Sequence, residues 1–368
     1  MGDRDLAGEV SVPVEAAAAL DITQCATGKT LSENRKELLS PGIPTSGYLL
    51  FCSPTQGSDL IKPIQYLRGI AAMMVVWHHS FTGWIDFGPS GVDIFFVISG
   101  FIMWVTTWDK PAAPSRFMAL RIVRVVPMYW LATICMAFVV GWAGTPKSLA
   151  FIPYDPSPVL YQGWTLNYEM FFYAVFAASL WMPKRYRLTA LLGCIAALVG
   201  VGYALKPSNA IAMTYTSSLL LEFAVGAVIG YAWVTQRRLP AAVAVVCAVA
   251  GVILLFKGVP LHGWSQKAGA VLLVAGCLNL VVLHGENGAL MQLGNASYSI
   301  YLIHPFVLAA LKLLPVGAAF PALAMVASAM VGWGCCRLIE MPMTSWLHRL
   351  ISGQVARRAI GVAEAGRA

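Results

Sequence analysis

From Pro63 to about residue 339 the chain is a series of apolar stretches separated by short polar segments. Each stretch is about 17 to 25 residues long, enough to cross the hydrocarbon core of a bilayer as a helix. Lipid accepts helices readily because their backbone polar groups are satisfied internally. The sequence therefore predicts an all-α, polytopic membrane protein with about ten transmembrane helices. The expected spans are 63–82, 89–106, 120–143, 164–182, 188–205, 213–234, 239–257, 266–284, 293–313 and 317–339.

The composition excludes a soluble protein. Only 11% of the 368 residues are charged and 58% are hydrophobic, whereas a soluble domain carries about 25% charged residues. So little charge cannot cover a water-facing surface, so most of the surface must face lipid. The formal net charge of +8 is typical of basic cytoplasmic loops in such a chain. We expect the lipid bilayer as a partner and no nucleic acid.

The basic residues indicate the orientation. They are concentrated after the second, fourth, sixth and tenth expected spans, and few stand in the opposite loops. The positive-inside rule then predicts that both termini are cytoplasmic. The basic residues on the predicted cytoplasmic side are Lys110, Arg116, Lys184, Arg185, Arg187, Arg237, Arg238, Arg349, Arg357, Arg358 and Arg367.

Three segments follow from these patterns. Residues 1–60 are polar to mildly apolar and lack the pattern of a signal peptide. They are interpreted as a disordered cytoplasmic extension, and an over-called start site is the alternative. Residues 61–342 form the transmembrane domain, and residues 343–368 form a basic cytoplasmic tail. The eight cysteines include no C-x-x-C pair, so we expect neither a metal site nor a disulfide framework.

Arg68 and His79 are ionisable residues inside the first expected span. Such residues cost at least about 2.5–3.5 kcal/mol in the bilayer centre and normally mark a working site. The two lie eleven residues apart, or about three turns, so they share one helix face at a separation of roughly 16 Å. A histidine can accept a proton from an alcohol. The alternative is a packed histidine that is hydrogen-bonded across helices.

Two carboxylates are further candidates. Asp93 lies near the outer end of the second span, where it could pair with a histidine or cap the helix. Glu169 lies in the fourth span at a depth that we expect to be comparable with His79. It could orient the imidazole or hold an acceptor hydroxyl, whereas a structural role would require a partner that the span does not supply.

Arg121 and Arg124 are neighbours at positions i and i+3, at the cytoplasmic entrance of the third span. Two guanidinium groups on one face suit a phosphorylated cofactor. Ordinary snorkelling to lipid phosphates is the alternative, and the residues alone favour it.

Later spans contain weaker candidates. Glu222 lies within the sixth span and His304 within the ninth. Arg337 and Glu340 end the last span and are expected to pair with each other at i,i+3 spacing.

Six motifs in order resemble the membrane-bound acyltransferase family three, and within it the ExoZ-type exopolysaccharide acetyltransferases. The resemblance runs from about Ile64 to Pro342. Its carriers are Leu67-Arg68-Gly69 followed by His79, the run from Gly91 to Phe101, Arg121-x-x-Arg124-x-x-Pro127, Trp164-Thr165-Leu166-x-x-Glu169-x-x-Phe172-Tyr173, Tyr298-Ser299-Ile300-Tyr301-Leu302-x-His304, and Glu340-x-Pro342.

The resemblance implies an O-acyltransferase of the bacterial inner membrane. It moves acetyl or another short acyl group from cytoplasmic acyl-CoA to a hydroxyl of an exopolysaccharide or a polyprenyl-linked oligosaccharide. Acetyl-CoA is the expected donor, no metal is expected, and a polysaccharide-export complex is a further expected partner. The family pattern favours His79 over His78, assigns Arg121 and Arg124 to the CoA phosphates, and implicates Glu169 in activity.

In the predicted mechanism the thioester reaches past Arg68, and His79 acts with support from Glu169 or Asp93. The residues leave open whether His79 removes a proton or carries the acyl group itself. Two other classes also accommodate charges buried in ten spans. One is a glycan or lipid transporter or flippase without acyl-transfer chemistry, and the other is a scaffold in an export complex.

Overall fold

The computed structural model describes residues 62–81, 90–109, 113–256, 264–280, 283 and 287–351. The predicted extension 1–60 and the last part of the predicted tail, 352–368, lie outside the described residues. Within the described ranges all regular structure is helical. The helices are α1 (Lys62–Ser80), α2 (Ser90–Thr107), α3 (Pro114–Val140), α4 (Thr145–Leu149), α5 (Gly163–Ser179), α6 (Lys184–Leu205), α7 (Ala210–Tyr215), α8 (Leu220–Val234), α9 (Ala241–Leu255), α10 (Trp264–Asn279), α11 (Gly288–Asn295), α12 (Ser297–Leu311) and α13 (Phe320–Cys335).

The helices confirm an all-α polytopic membrane protein. Five described segments are long and apolar enough to cross a bilayer, judged by length and composition, and α9 and α12 are shorter apolar helices. The five are Ser90–Thr107, Pro114–Val140, Lys184–Leu205, Ala210–Val234 and Gly317–Ile351. The peripheral helix α6 buries a single stripe, Leu191, Ile195 and Val199. At this i,i+4,i+8 spacing the rest of its apolar surface is left for lipid.

The centre of the bundle is a close crossing of α2 and α8. A Cβ atom added at Gly100 would lie 2.0 Å from the Phe223 carbonyl oxygen, and one added at Gly226 would lie 2.1 Å from the Val97 carbonyl oxygen. Only glycine allows two backbones to approach this closely. α2 is therefore buried on most of its surface and provides one wall of the interior.

A second close approach places α1 beside α11 and α12. A Cβ atom added at Gly294 would lie 2.1 Å from the Gln65 carbonyl oxygen, and one added at Gly69 would lie 2.9 Å from the Gly294 nitrogen. Since Arg68 stands between Gln65 and Gly69, this contact holds its guanidinium next to the start of α12.

Three expected spans are interrupted. The sixth consists of α7 and α8, and the ninth consists of α11 and α12, whose first helices are capped by Asn209 and Asn287 side chains. After α13 the residues Cys336–Glu340 form a π-helical turn, and helix continues through Ile351. The beginning of the predicted tail 343–368 is thus a continuation of the last helix.

Candidate active site

A cavity lies between α1, α2, α3, α5 and α12. It encloses about 800 Å³ of empty space including its open mouth. Its walls combine apolar side chains with a few charged ones, as binding pockets usually do. The lining residues are Arg68, Val92, Phe95, Phe96, Ile98, Ser99, Ile102, Met103, Arg121, Arg124, Val125, Thr165, Leu166, Glu169, Tyr173, Ser297, Tyr298 and Tyr301.

Three guanidinium groups converge on this cavity. Arg68 is 7% exposed and its Nη1 donates to the Gln65 side-chain oxygen at 3.2 Å. Arg121 is 8% exposed and its guanidinium lies 5.4 Å from the centroid of the Phe117 ring. Both interact electrostatically with Arg124. Arg121 is thus directed into the protein, whereas snorkelling to lipid phosphates would have exposed it.

Glu169 is the carboxylate among these arginines. It interacts electrostatically with Arg68 and Arg121. It accepts hydrogen bonds from the Tyr173 hydroxyl, one turn away on α5, and from Ser99 Oγ at 3.4 Å. The cationic partners that the fourth span could not supply by itself therefore come from α1 and α3, and α2 contributes a further hydroxyl.

Glu340 is a second carboxylate near the same arginines, and the expected pair of Arg337 with Glu340 is wrong. Glu340 accepts a hydrogen bond from Ser299 Oγ at 2.5 Å and interacts electrostatically with Arg68 and Arg124. The Arg337 guanidinium instead lies 5.8 Å from the centroid of the Trp333 ring. The reason is the π-helical turn at 336–340. Its hydrogen bonds run from i to i+5 and its turns are wider than those of an α-helix, so Arg337 and Glu340, three residues apart, no longer share one face.

His79 lies against His304, with ring centroids 5.1 Å apart. The His79 Nδ1 is 2.8 Å from the carbonyl oxygen of Val75, one turn earlier in α1. His304 is 1% exposed, so its ring is packed inside the bundle, whereas His79 is exposed. The structure therefore joins two histidines from distant spans, of which sequence reasoning had given His304 only a minor place.

The histidine pair adjoins the Tyr301 end of the cavity. Tyr301 lines the cavity, its hydroxyl is 2.8 Å from Thr165 Oγ1, and it donates to the Gln162 carbonyl at 3.2 Å. The rings of Tyr301 and His304 have centroids 6.1 Å apart. The Gln162 side-chain nitrogen lies 3.4 Å from His304 Nε2. Sequence reasoning missed Gln162, because an amide at the start of a span resembles an ordinary interfacial residue.

Glu169 belongs to the arginine end of the cavity. Gln162, which contacts His304, precedes Glu169 by seven residues, which is two helical turns or roughly 10 Å. Glu169 therefore lies about two turns along α5 from the residue that contacts the histidine pair, whereas the sequence predicted a position level with His79. Support of the His79 imidazole by Glu169 stays a prediction.

Asp93 lies in a separate cluster with Glu222 and Lys267. Its side chain is hydrogen-bonded to Glu222 and interacts electrostatically with Lys267, whose Nζ donates to the Glu222 carboxylate. Asp93 and Glu222 are 5% and 2% exposed. Asp93 lies on the face of α2 that carries Gly100 and meets α8, and its partners among the described residues are Glu222 and Lys267 rather than a histidine.

Comparison with known proteins assigns the class. Acyltransferase family three, described as an acyltransferase domain, matches residues 61–338, a range that contains every lining residue of the cavity. The chain belongs to this family and is a membrane-bound O-acyltransferase that uses an acyl donor.

Two relatives are more specific. The exopolysaccharide production protein ExoZ of Rhizobium meliloti (strain 1021) is 38% identical over 314 residues, covering 76% of this chain and 96% of the relative. The protein BcsY of Komagataeibacter xylinus, named as a membrane-bound transacylase, is 30% identical over 287 residues, covering 66% of this chain and 72% of the relative. No solved structure matches the chain at a significant level.

Proposed function

We propose that this enzyme transfers an acetyl or other short acyl group from acyl-CoA to a hydroxyl group of an exopolysaccharide or its polyprenyl-linked precursor. The observation that carries the proposal is the cavity that extends from three arginines to Tyr301, beside a histidine pair. The exopolysaccharide acceptor is supported by the name of the relative ExoZ.

The arginine end suits the phosphates of coenzyme A. Arg68, Arg121 and Arg124 supply three positive charges against the carboxylates of Glu169 and Glu340, so a net positive charge remains for an anion. A planar guanidinium donates two parallel hydrogen bonds to a phosphate. Under the positive-inside assignment this end faces the cytoplasm of a bacterial inner membrane, with both termini on the same side.

The histidine end suits proton removal from the acceptor. Because the Val75 carbonyl can only accept, the His79 Nδ1 must donate to it, which places the ring's lone pair on Nε2. In direct transfer this lone pair takes the hydroxyl proton, the acceptor oxygen bonds to the thioester carbonyl carbon, and the carbon–sulfur bond breaks. The CoA thiolate that leaves takes up the proton. In two-step transfer Nε2 first bonds to the acyl carbon as the carbon–sulfur bond breaks and the CoA thiolate leaves. The acceptor oxygen then bonds to the same carbon, the carbon–nitrogen bond breaks, and the hydroxyl proton passes to the thiolate.

The distance between the two ends is compatible with one bound donor. Arg68 and His79 stand about three turns apart on α1, which is roughly 16 Å. We propose that the pantetheine arm spans this distance, with its phosphates at the arginines and its thioester near the histidines.

Replacement of His79 tests the proposal. Membranes containing His79→Ala, supplied with labelled acetyl-CoA and alkali-deacylated exopolysaccharide from Rhizobium meliloti, should form no labelled glycan while the protein remains inserted. The matched control is His78→Ala, which removes the neighbouring ring of α1, 5.1 Å from His79, and should retain transfer. Normal labelling of the glycan by His79→Ala would remove His79 from the mechanism. If the wild-type protein forms no labelled glycan from acetyl-CoA, acetyl-CoA is refuted as the donor.

A further inference from the structure

Pro305 leaves a carbonyl of α12 without its usual donor. In an α-helix the amide of residue 305 would bond to the carbonyl of Tyr301, but proline has no amide hydrogen. His304 Nδ1 lies 2.7 Å from that carbonyl oxygen. Since the carbonyl can only accept, Nδ1 of His304 must carry the hydrogen. The adjacent proline thus selects the tautomer of His304.

The other ring nitrogen is occupied as well. With hydrogen on Nδ1, Nε2 of His304 holds the lone pair, and the Gln162 side-chain nitrogen lies 3.4 Å from it as a donor. His304 is 1% exposed, so water does not stabilise a second proton on the ring. Gln162, Pro305 and burial together maintain a neutral imidazole.

This neutral ring packs directly on His79. The two ring centroids are 5.1 Å apart and the ring planes are inclined by 45°. The contact restricts rotation of the His79 ring, whose Nδ1 is also bonded to Val75. A positive charge at this distance would oppose the uptake of a proton by His79, whereas a neutral ring does not.

We propose that His304 is a positioning residue of the acyl-transfer centre. It presents a neutral imidazole that orients His79 and leaves that residue able to take up a proton. The inference rests on the proposed role of His79 as the group that receives the proton or the acyl carbon.

Three substitutions of His304 separate the ring contact from the hydrogen bonds. His304→Ala removes both, His304→Phe keeps a ring against His79, and His304→Asn keeps a donor near the Tyr301 carbonyl. We expect kcat of His304→Ala to fall about 10²-fold, the effect of a small misplacement of a reacting group. His304→Phe and His304→Asn should each recover part of it, and KM for acetyl-CoA should stay unchanged because the arginines are untouched.

A pair of substitutions at Gln162 tests the neutrality of the ring. Gln162→Glu places a carboxylate near His304 Nε2, which favours a second proton on that nitrogen and hence a cation beside His79. Gln162→Leu removes the amide without adding charge. We expect kcat to fall at least tenfold further for Gln162→Glu than for Gln162→Leu. Equal kcat values would overturn the neutrality of His304.

Leu308→Ala controls for general damage to α12, because Leu308 is a buried apolar residue one turn further along. It should lower thermal stability but keep kcat. The inference is overturned if His304→Ala keeps kcat, or changes only KM, in a protein whose His79→Ala variant is inactive. If His79→Ala is itself active, the proposed function fails first.

Discussion

The ionisable side chains considered as site candidates, together with Lys267, fall into three groups according to their neighbours. The arginines and Glu169 line a cavity, the histidines lie at its Tyr301 end, and Asp93 with Glu222 and Lys267 joins helices elsewhere. Each group satisfies charges that lipid would penalise. The arginines and Glu169 line the cavity, whereas Asp93 and Glu222 are buried outside its lining.

Arg121 and Arg124 should determine the affinity for the donor. Replacing both with Ala removes two guanidinium groups from the cavity, so KM for acetyl-CoA should rise at least tenfold in membrane vesicles. Arg116→Ala is the control, since this exposed residue of the same helix does not line the cavity. An unchanged KM for the double variant would exclude phosphate binding by this pair.

Lys267 should be essential for stability. Its substitution by Met leaves the buried Asp93 and Glu222 carboxyls without their cation, and breaking a buried ion pair costs about 3–5 kcal/mol. The midpoint temperature of unfolding in nanodiscs should fall accordingly. The control is Lys184→Met, which breaks a 4.0 Å contact with Asp109. The side chains of Lys184 and Asp109 are 48% and 86% exposed, so the loss of this contact should have much less effect on the midpoint. Similar midpoints for both variants would contradict this assignment.

At the scale of elements, glycines and interruptions decide how the helices meet. The glycine contacts bring α2 against α8 and α1 against α11. Pro305 in α12 and the π-helical turn after α13 redirect the polar groups of two helices. The cavity therefore depends on small residues that have no chemistry of their own.

Gly226→Ala should disturb the cavity through α2. The added Cβ would lie 2.1 Å from the Val97 carbonyl oxygen, so the helices must separate, at a cost of about 1–3 kcal/mol or more. We expect lower thermal stability and reduced activity per folded molecule. Gly193→Ala is the matched control, because no atom lies within 4 Å of its added Cβ. Equal thermal midpoints would show that the crossing is not tight.

At the scale of the whole molecule, the proposed function assigns different roles to the two ends of the cavity. If the arginine end faces the cytoplasm, the donor enters where acyl-CoA is present and the acceptor meets the histidines on the opposite side. This arrangement requires the orientation that the basic residues predict.

Reporter fusions test that orientation. A green fluorescent protein fused after Arg238 should fluoresce, and alkaline phosphatase fused after Ser208, between α6 and α7, should be active. Exchanging the two reporters at the same positions should abolish both signals. The reverse pattern would place the arginines outside and would refute the cytoplasmic donor site.

Much of the site could be predicted from the sequence, because charges within apolar stretches are conspicuous. Arg68, Arg121, Arg124 and Glu169 all line one cavity. The partners were less accessible to sequence reasoning. Asp93 meets Glu222 rather than a histidine, and Glu340 meets Ser299 rather than Arg337, because contacts between helices depend on crossings and on local winding.

The sequence by itself determined that this chain is a helical membrane protein, since long apolar stretches have few other stable forms in lipid. It also determined which buried charges required an explanation. Only the tertiary structure decided that His304 lies against His79 and that Glu169 lies among arginines from two other helices. Helical periodicity specifies the face on which a side chain lies, whereas the neighbour at that face is selected by the packing of segments far apart in the chain.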